Sequence, residues 1–255
     1  MFDLHDRHAR IDGVRLHWTE LGLDRGLAPP LLMMHGLFDS SLTFRHVAAA
    51  LSQDRLVLLP DLPGHGLSEQ PTSSSPPDRC GRVMAQMLAL LDRVQVDLLG
   101  HSFGGTVAQM LVRECPAKVR RLVLVAAPAL PKSASPELHL EKPWLDEQPA
   151  QSVAHWVWEV LRPPPSLLDD VGSRPIAVLW GTRDRIVPFA EGKRLSAGMA
   201  GATFVPFEGC GHYLHHDEPA RFVEVVREFL STPCTPARVS DHDHGARRAS
   251  TYATA

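Results

Sequence analysis

Six short apolar runs, each closed by turn residues, recur along this 255-residue chain: "PPLLMMHG" (29–36), "RLVLLPD" (55–61), "VDLLG" (96–100), "RRLVLVAA" (120–127), "PIAVLWG" (175–181) and "ATFVPF" (202–207). Runs of this length without polar alternation read as strands buried on both faces. Between them lie segments with apolar residues at helical spacing, at 42–52, 79–94, from Ser102 towards Pro116, 188–199 and 218–230. Strand and helix in alternation imply an α/β fold, a mostly parallel sheet with helices on both faces. Ahead of them, "HARIDGVRLHWTELG" (8–22) holds two alternating segments about Asp12-Gly13, a hairpin signal that brings the expected sheet to eight strands. Ligands of such sheets bind beyond the carboxyl ends of the strands, so the loops that follow each run are where chemistry is sought.

The alternation breaks once. From 129 to 173 the chain carries Pro131, Pro136, Pro143, Pro149 and the run Pro163-Pro164-Pro165 around one amphipathic piece, "QSVAHWVWEVLR" (151–162). This stretch reads as an insertion, a short helical cap between two parts of one core, 1–128 and 174–231. Residues 232–255 lack periodicity and read as a disordered tail.

Composition excludes several functions. A net charge of −3 with no face-sized cluster of Lys and Arg leaves nothing to meet a nucleic acid. The N-terminus lacks the apolar core of a signal peptide, and no apolar run approaches the roughly 18 residues of a membrane span. The chain therefore reads as soluble and cytoplasmic. Cys80, Cys115, Cys210 and Cys234 lie far apart without C-x-x-C spacing, which points to free thiols and to neither a zinc site nor a disulfide scaffold.

In "LLGHSFGGTVAQ" (98–109), Gly100-His101-Ser102-Phe103-Gly104 has the spacing G-x-S-x-G. Taken alone the pattern is weak, since a small flexible turn with a solvated serine would look the same. Its position is informative, because it falls where a strand ends and a helix begins. There a sharp turn lifts a serine hydroxyl above the sheet, and a Cβ at either glycine would collide with neighbouring backbone.

A serine hydroxyl needs a base, and the base needs an acid to hold its tautomer. Among 14 histidines, His212 in "EGCGHYLHHDEP" lies in a glycine-containing loop between the last strand and the last helix. His215 and His216 read as surface residues at a helix start capped by Asp217. A metal reading of His212, His215, His216 and Asp217 lacks a matching ligand cluster elsewhere. Asp184 in "LWGTRDRIVP" follows the preceding strand and is the candidate acid, with a plain turn residue as the alternative. Asp61 is its rival, but it precedes the serine in a turn-rich segment and reads as a loop organiser. Backbone N–H groups of Leu37, after the first parallel strand, and of Phe103, after the serine, are the candidate oxyanion donors.

The segments "HGLFDSS", "DLPGHGLSE", "GHSFGG", "GTRDRIVP" and "GCGHYLHHDEP" resemble, in order and spacing, the oxyanion loop, a common turn, the nucleophile elbow, the acid loop and the histidine loop of the α/β-hydrolase superfamily. The resemblance spans roughly residues 12–230. It implies Ser102 as nucleophile, Asp184 as acid, His212 as base and Leu37 and Phe103 as oxyanion donors, with no cofactor and no metal. Serine at 102 disfavours the haloalkane dehalogenase and epoxide hydrolase branches, and Leu37 disfavours the branch with a glycine-rich oxyanion loop. Phe38, and Trp156 and Trp158 of the cap, are candidate pocket residues, and the cap lacks recurring charge, which suits an apolar acyl or alkyl group.

The expected function is a serine hydrolase of a small-to-medium ester, thioester or related carbonyl compound, working through an acyl-enzyme as a monomer or homodimer on a small-molecule substrate. Acyl transfer, perhydrolysis or a tailoring reaction such as carbon–carbon bond cleavage are alternatives on the same triad. A non-catalytic ligand-binding protein of the same fold is the alternative of a different class.

Overall fold

A computed structural model describes residues 4–26, 28–70, 77–91, 95–128 and 174–232. The expected cap at 129–173, with Trp156 and Trp158, and the expected tail from 233 onward lie outside the described residues.

The chain opens with β1 (Leu4–Ile11) and β2 (Val14–Leu21), antiparallel, with Ile11 opposite Val14. Asp12 at φ 49° and Gly13 at φ 76° are both left-handed, the conformation that lets a two-residue turn follow the twist of its strands. The strand β1 begins earlier than its apolar pattern suggests. Its first residues are exposed, so cross-strand pairing rather than burial holds them.

Six strands follow: β3 (Leu31–Met34), β4 (Val57–Asp61), β5 (Val96–His101), β6 (Val119–Val125), β7 (Ile176–Gly181) and β8 (Thr203–Phe207). They complete an eight-stranded sheet in the order β1-β2-β4-β3-β5-β6-β7-β8. The pair β2 and β4 is antiparallel, and every pair beyond β4 is parallel. All residues of β3, β4, β5 and β7 are buried, as unbroken apolar runs require when helices cover both faces.

The covering helices are α1 (Arg45–Leu51), α2 (Pro77–Leu90), α3 (Phe103–Glu114), α4 (Phe189–Ala197), the single turn α5 (Leu214–Asp217) and α6 (Pro219–Ser231). A further turn of 3₁₀ helix, Ser41–Phe44, leads into α1. Every residue of α3 from Phe103 to Val112 is buried, so this helix lies inside the molecule. At the amino-terminal side of β5, buried Asp97 accepts Arg55 Nη1 at 2.9 Å and Arg120 Nε at 2.8 Å, so its charge is compensated by two guanidinium groups. Cys80, Cys115 and Cys210 are free thiols. No helix among the described residues is long and apolar enough to cross a membrane.

Candidate active site

Ser102 sits between the end of β5 and the first residue of α3, with φ 51° and ψ −121°. A side chain rarely adopts this conformation, and backbone bonds hold it: the Ser102 N–H donates to Val125 O at 2.9 Å, and its own carbonyl accepts the Gly105 N–H at 2.9 Å. A Cβ on Gly100 would overlap the Gly104 carbonyl, and one on Gly104 would overlap the carbonyl of Met34. The two glycines therefore let the start of α3 lie directly against β3 and β5. The serine is left partly exposed between buried neighbours.

Asp184 follows β7 and His212 follows β8. Asp184 Oδ1 accepts the N–H groups of Ile186 at 2.8 Å and Val187 at 2.9 Å, while Oδ2 lies 2.8 Å from His212 Nδ1. Both side chains are buried. A carboxylate only accepts, so Nδ1 carries the hydrogen and Nε2 keeps its lone pair for a proton. The two loops are stitched together by Thr182 N–H to Phe207 O, Arg183 N–H to Cys210 O and Gly209 N–H to Thr182 Oγ1, all between 2.9 and 3.0 Å. Their approach requires Gly181, where a Cβ would overlap the carbonyls of Cys210 and Gly211.

The loop after β3 runs beside the serine: a Cβ on Gly36 would stand 3.4 Å from Ser102 Cβ. His35 fixes this loop from behind, its Nδ1 2.7 Å from Gly36 O and its Nε2 accepting the Leu62 N–H at 3.0 Å. Burial, reinforced by the neighbouring His65, pushes His35 down to about 4 and keeps it neutral. Among the described residues no group accepts the Leu37 N–H.

Asp61 belongs to a different cluster from His212. Its Oδ1 accepts the Ser41 N–H at 2.8 Å, and its Oδ2 accepts the Leu67 N–H and faces His17 Nδ1, each at 2.9 Å. Burial pushes the Asp61 carboxyl up, but the Leu67, Ser41 and His17 bonds outweigh it and hold it below the usual carboxylate value. As expected of a loop organiser, it ties the hairpin, the turn after β4 and the segment after the β3 loop to one side chain.

Two expectations change. His215 is buried, not a surface residue: its ring packs on Phe44, Phe222 and His101, and Thr43 Oγ1 lies 3.2 Å from its Nε2. Burial and the charges of His216 and His212 push it down to about 3. His216 is exposed, yet its Nε2 lies 2.8 Å from Thr43 O, so it too bridges towards α1. Asp217 ends α5 instead of capping a helix start, and its Oδ2 accepts the Gly211 N–H at 2.7 Å, bracing the turn that carries His212. Phe38 stands 52% exposed at φ 59°, outside the core. His101, His35 and Thr43 were not anticipated as parts of this site. Among the described residues no group of three or more His, Cys, Asp or Glu side chains is placed to hold a metal.

A strained serine at a strand-to-helix turn and a buried His–Asp pair both follow carboxyl ends of strands of this one sheet. Residues 31–225 match the alpha/beta hydrolase family, and the chain belongs to it. An uncharacterised protein of Mycobacterium tuberculosis is 28% identical over 278 residues, covering 88% of this chain and 80% of its own. The 2-hydroxymuconate semialdehyde hydrolase of a Pseudomonas strain is 27% identical over 251 residues, covering 82% of this chain and 89% of its own. The crystal structure of the enol-lactonase from Burkholderia xenovorans LB400 shares the fold, with a TM-score of 0.73 at 20% identity over 89% of this chain and all of that one.

Proposed function

We propose that the chain is a serine hydrolase that cleaves a small-to-medium, apolar ester, thioester or related carbonyl compound through an acyl-enzyme. The observation that carries this reading is the His212 Nδ1 to Asp184 Oδ2 bond at 2.8 Å, with the acid itself fixed by two backbone N–H groups. An imidazole so oriented presents Nε2 as a base, and the nearest purpose for it is the Ser102 hydroxyl on the adjoining elbow.

In this reading Ser102 Oγ attacks the substrate carbonyl carbon as its proton passes to His212 Nε2. The oxyanion that forms is met by the Leu37 and Phe103 N–H groups, the latter at the positive end of α3. His212 returns the proton to the leaving group as the carbonyl reforms, leaving an acyl ester on Ser102. Water, deprotonated by His212, then releases the acid and regenerates the serine. Phe38 on the loop after β3, Leu42 in the 3₁₀ turn that follows it and Ile186 on the loop after β7 are each more than half exposed and support an apolar substrate group.

The name of the Pseudomonas relative favours a second reading, hydrolysis of an unsaturated keto acid of the 2-hydroxymuconate semialdehyde type on the same triad. Fluorophosphonate labelling tests the shared chemistry: the wild type should label and Ser102→Ala should not. An unlabelled wild type would refute the serine mechanism. Hydrolysis rates over esters of graded acyl length, set beside 2-hydroxymuconate semialdehyde, separate the two substrate readings.

A further inference from the structure

We propose that His101 is a positioning residue that braces the His212 loop against the nucleophile elbow. The inference rests on the reading of His212 as the base. His101 is the last residue of β5, immediately before Ser102, and is fully buried. Its Nε2 lies 3.0 Å from the carbonyl oxygen of His212. A carbonyl only accepts, so the ring donates from Nε2 and its Nδ1 is bare. That Nδ1 faces the oxyanion loop, where a Cβ on Gly36 would stand 3.2 Å away. One imidazole thus belongs to the elbow by its backbone, bonds the base loop and abuts the loop of Leu37.

The titratable groups around this ring are those of His212, Tyr213 and His215, with centroids at 4.8, 5.0 and 4.8 Å, and of His216 beyond His215. Burial first, then repulsion from His215 and His212, holds His101 well below the ordinary histidine value. The ring therefore stays neutral when His212 takes the serine proton, and it does not compete for that proton. A phenyl ring fills the same space without the N–H. A glutamine places an amide N–H at about the same reach from the backbone as Nε2, so it restores the bond without the ring.

The second-order rate constant for fluorophosphonate labelling of Ser102 is measured from pH 5 to 9 in the wild type, His101→Phe and His101→Gln. A base loop released by even an ångström misplaces Nε2, so His101→Phe should label between about 10-fold and 100-fold more slowly. Its acidic limb should move to lower pH, because a looser His212–Asp184 contact stabilises the imidazolium less. His101→Gln should recover most of the rate and return the limb towards its wild-type position. A labelling wild type whose His101→Phe variant keeps both rate and limb, or whose His101→Gln variant does no better than His101→Phe, overturns the proposal alone. An unlabelled wild type removes the parent reading and the proposal together. If His101→Phe does not fold, ¹⁵N-histidine spectra of the wild type decide: His101 should be the neutral Nε2–H tautomer from pH 5 to 8, and an Nδ1–H or charged ring overturns the proposal.

Discussion

His35 joins two loops that are distant in sequence, its Nε2 accepting the Leu62 N–H at 3.0 Å while its Nδ1 lies 2.7 Å from Gly36 O. Protonation at Nε2 destroys the first of these bonds. Burial, and secondarily His65, places the folded-state value near 4, below the ordinary 6.5. Between these values the unfolded chain binds a proton that the folded protein refuses, so the stabilisation is complete above about pH 6.5 and is lost as pH falls towards 4. His215, down at about 3, acts in the same direction. The urea midpoint should be level above pH 7 and decline below 6.5, with up to about 3 kcal/mol lost through His35 alone by pH 4. A midpoint unchanged from pH 7 to 4.5 would contradict this account.

Asp184→Asn should leave the fold in place, because an amide oxygen can still accept from Ile186 and Val187. The amide nitrogen, however, would favour the wrong tautomer of His212. Turnover of any substrate found should fall by roughly 10⁴-fold, with far-ultraviolet circular dichroism unchanged.

Gly104→Ala places a methyl group onto the Met34 carbonyl, which is backbone and cannot rotate away. Either α3 lifts from β3 or the strand bends. The expected loss is about 3 kcal/mol or more, read as a shift of the denaturant midpoint.

Asp61→Ala leaves the N–H groups of Ser41 and Leu67 and the ring of His17 without their shared acceptor. The Ser41 N–H and the His17 ring are buried, and buried donors so orphaned cost about 1–3 kcal/mol each, so this variant should be clearly destabilised. Asp61→Asn, which retains one accepting oxygen, should lie between it and the wild type in thermal melts.

The sheet was legible because its signals are local. Asp12-Gly13 names its own turn, and runs such as Val96–Gly100 need no knowledge of their neighbours to read as buried strands. That Asp184 and not Asp61 contacts His212 was also legible, through chain order and the loop each occupies. The burial of His215 was not, because α5 is a single turn, too short for any periodicity to show which face points inward. Only Phe44, Phe222 and His101, brought from three other elements, settle it. His101 carries no sequence signal for a related reason: its hydrogen bond spans 111 positions to a backbone carbonyl, and a carbonyl leaves no mark in a sequence.

The φ of 51° at Ser102 sets folding and chemistry against each other at one residue. Glycine adopts such a conformation without strain, so Ser102→Gly should raise stability by about 1 kcal/mol while erasing fluorophosphonate labelling. Ser102→Ala, which keeps the Cβ, should erase labelling without that gain. A selection for thermal resilience alone would then discard the hydroxyl first, and libraries screened by stability should accumulate glycine at this position, as a population of better folded and inert molecules.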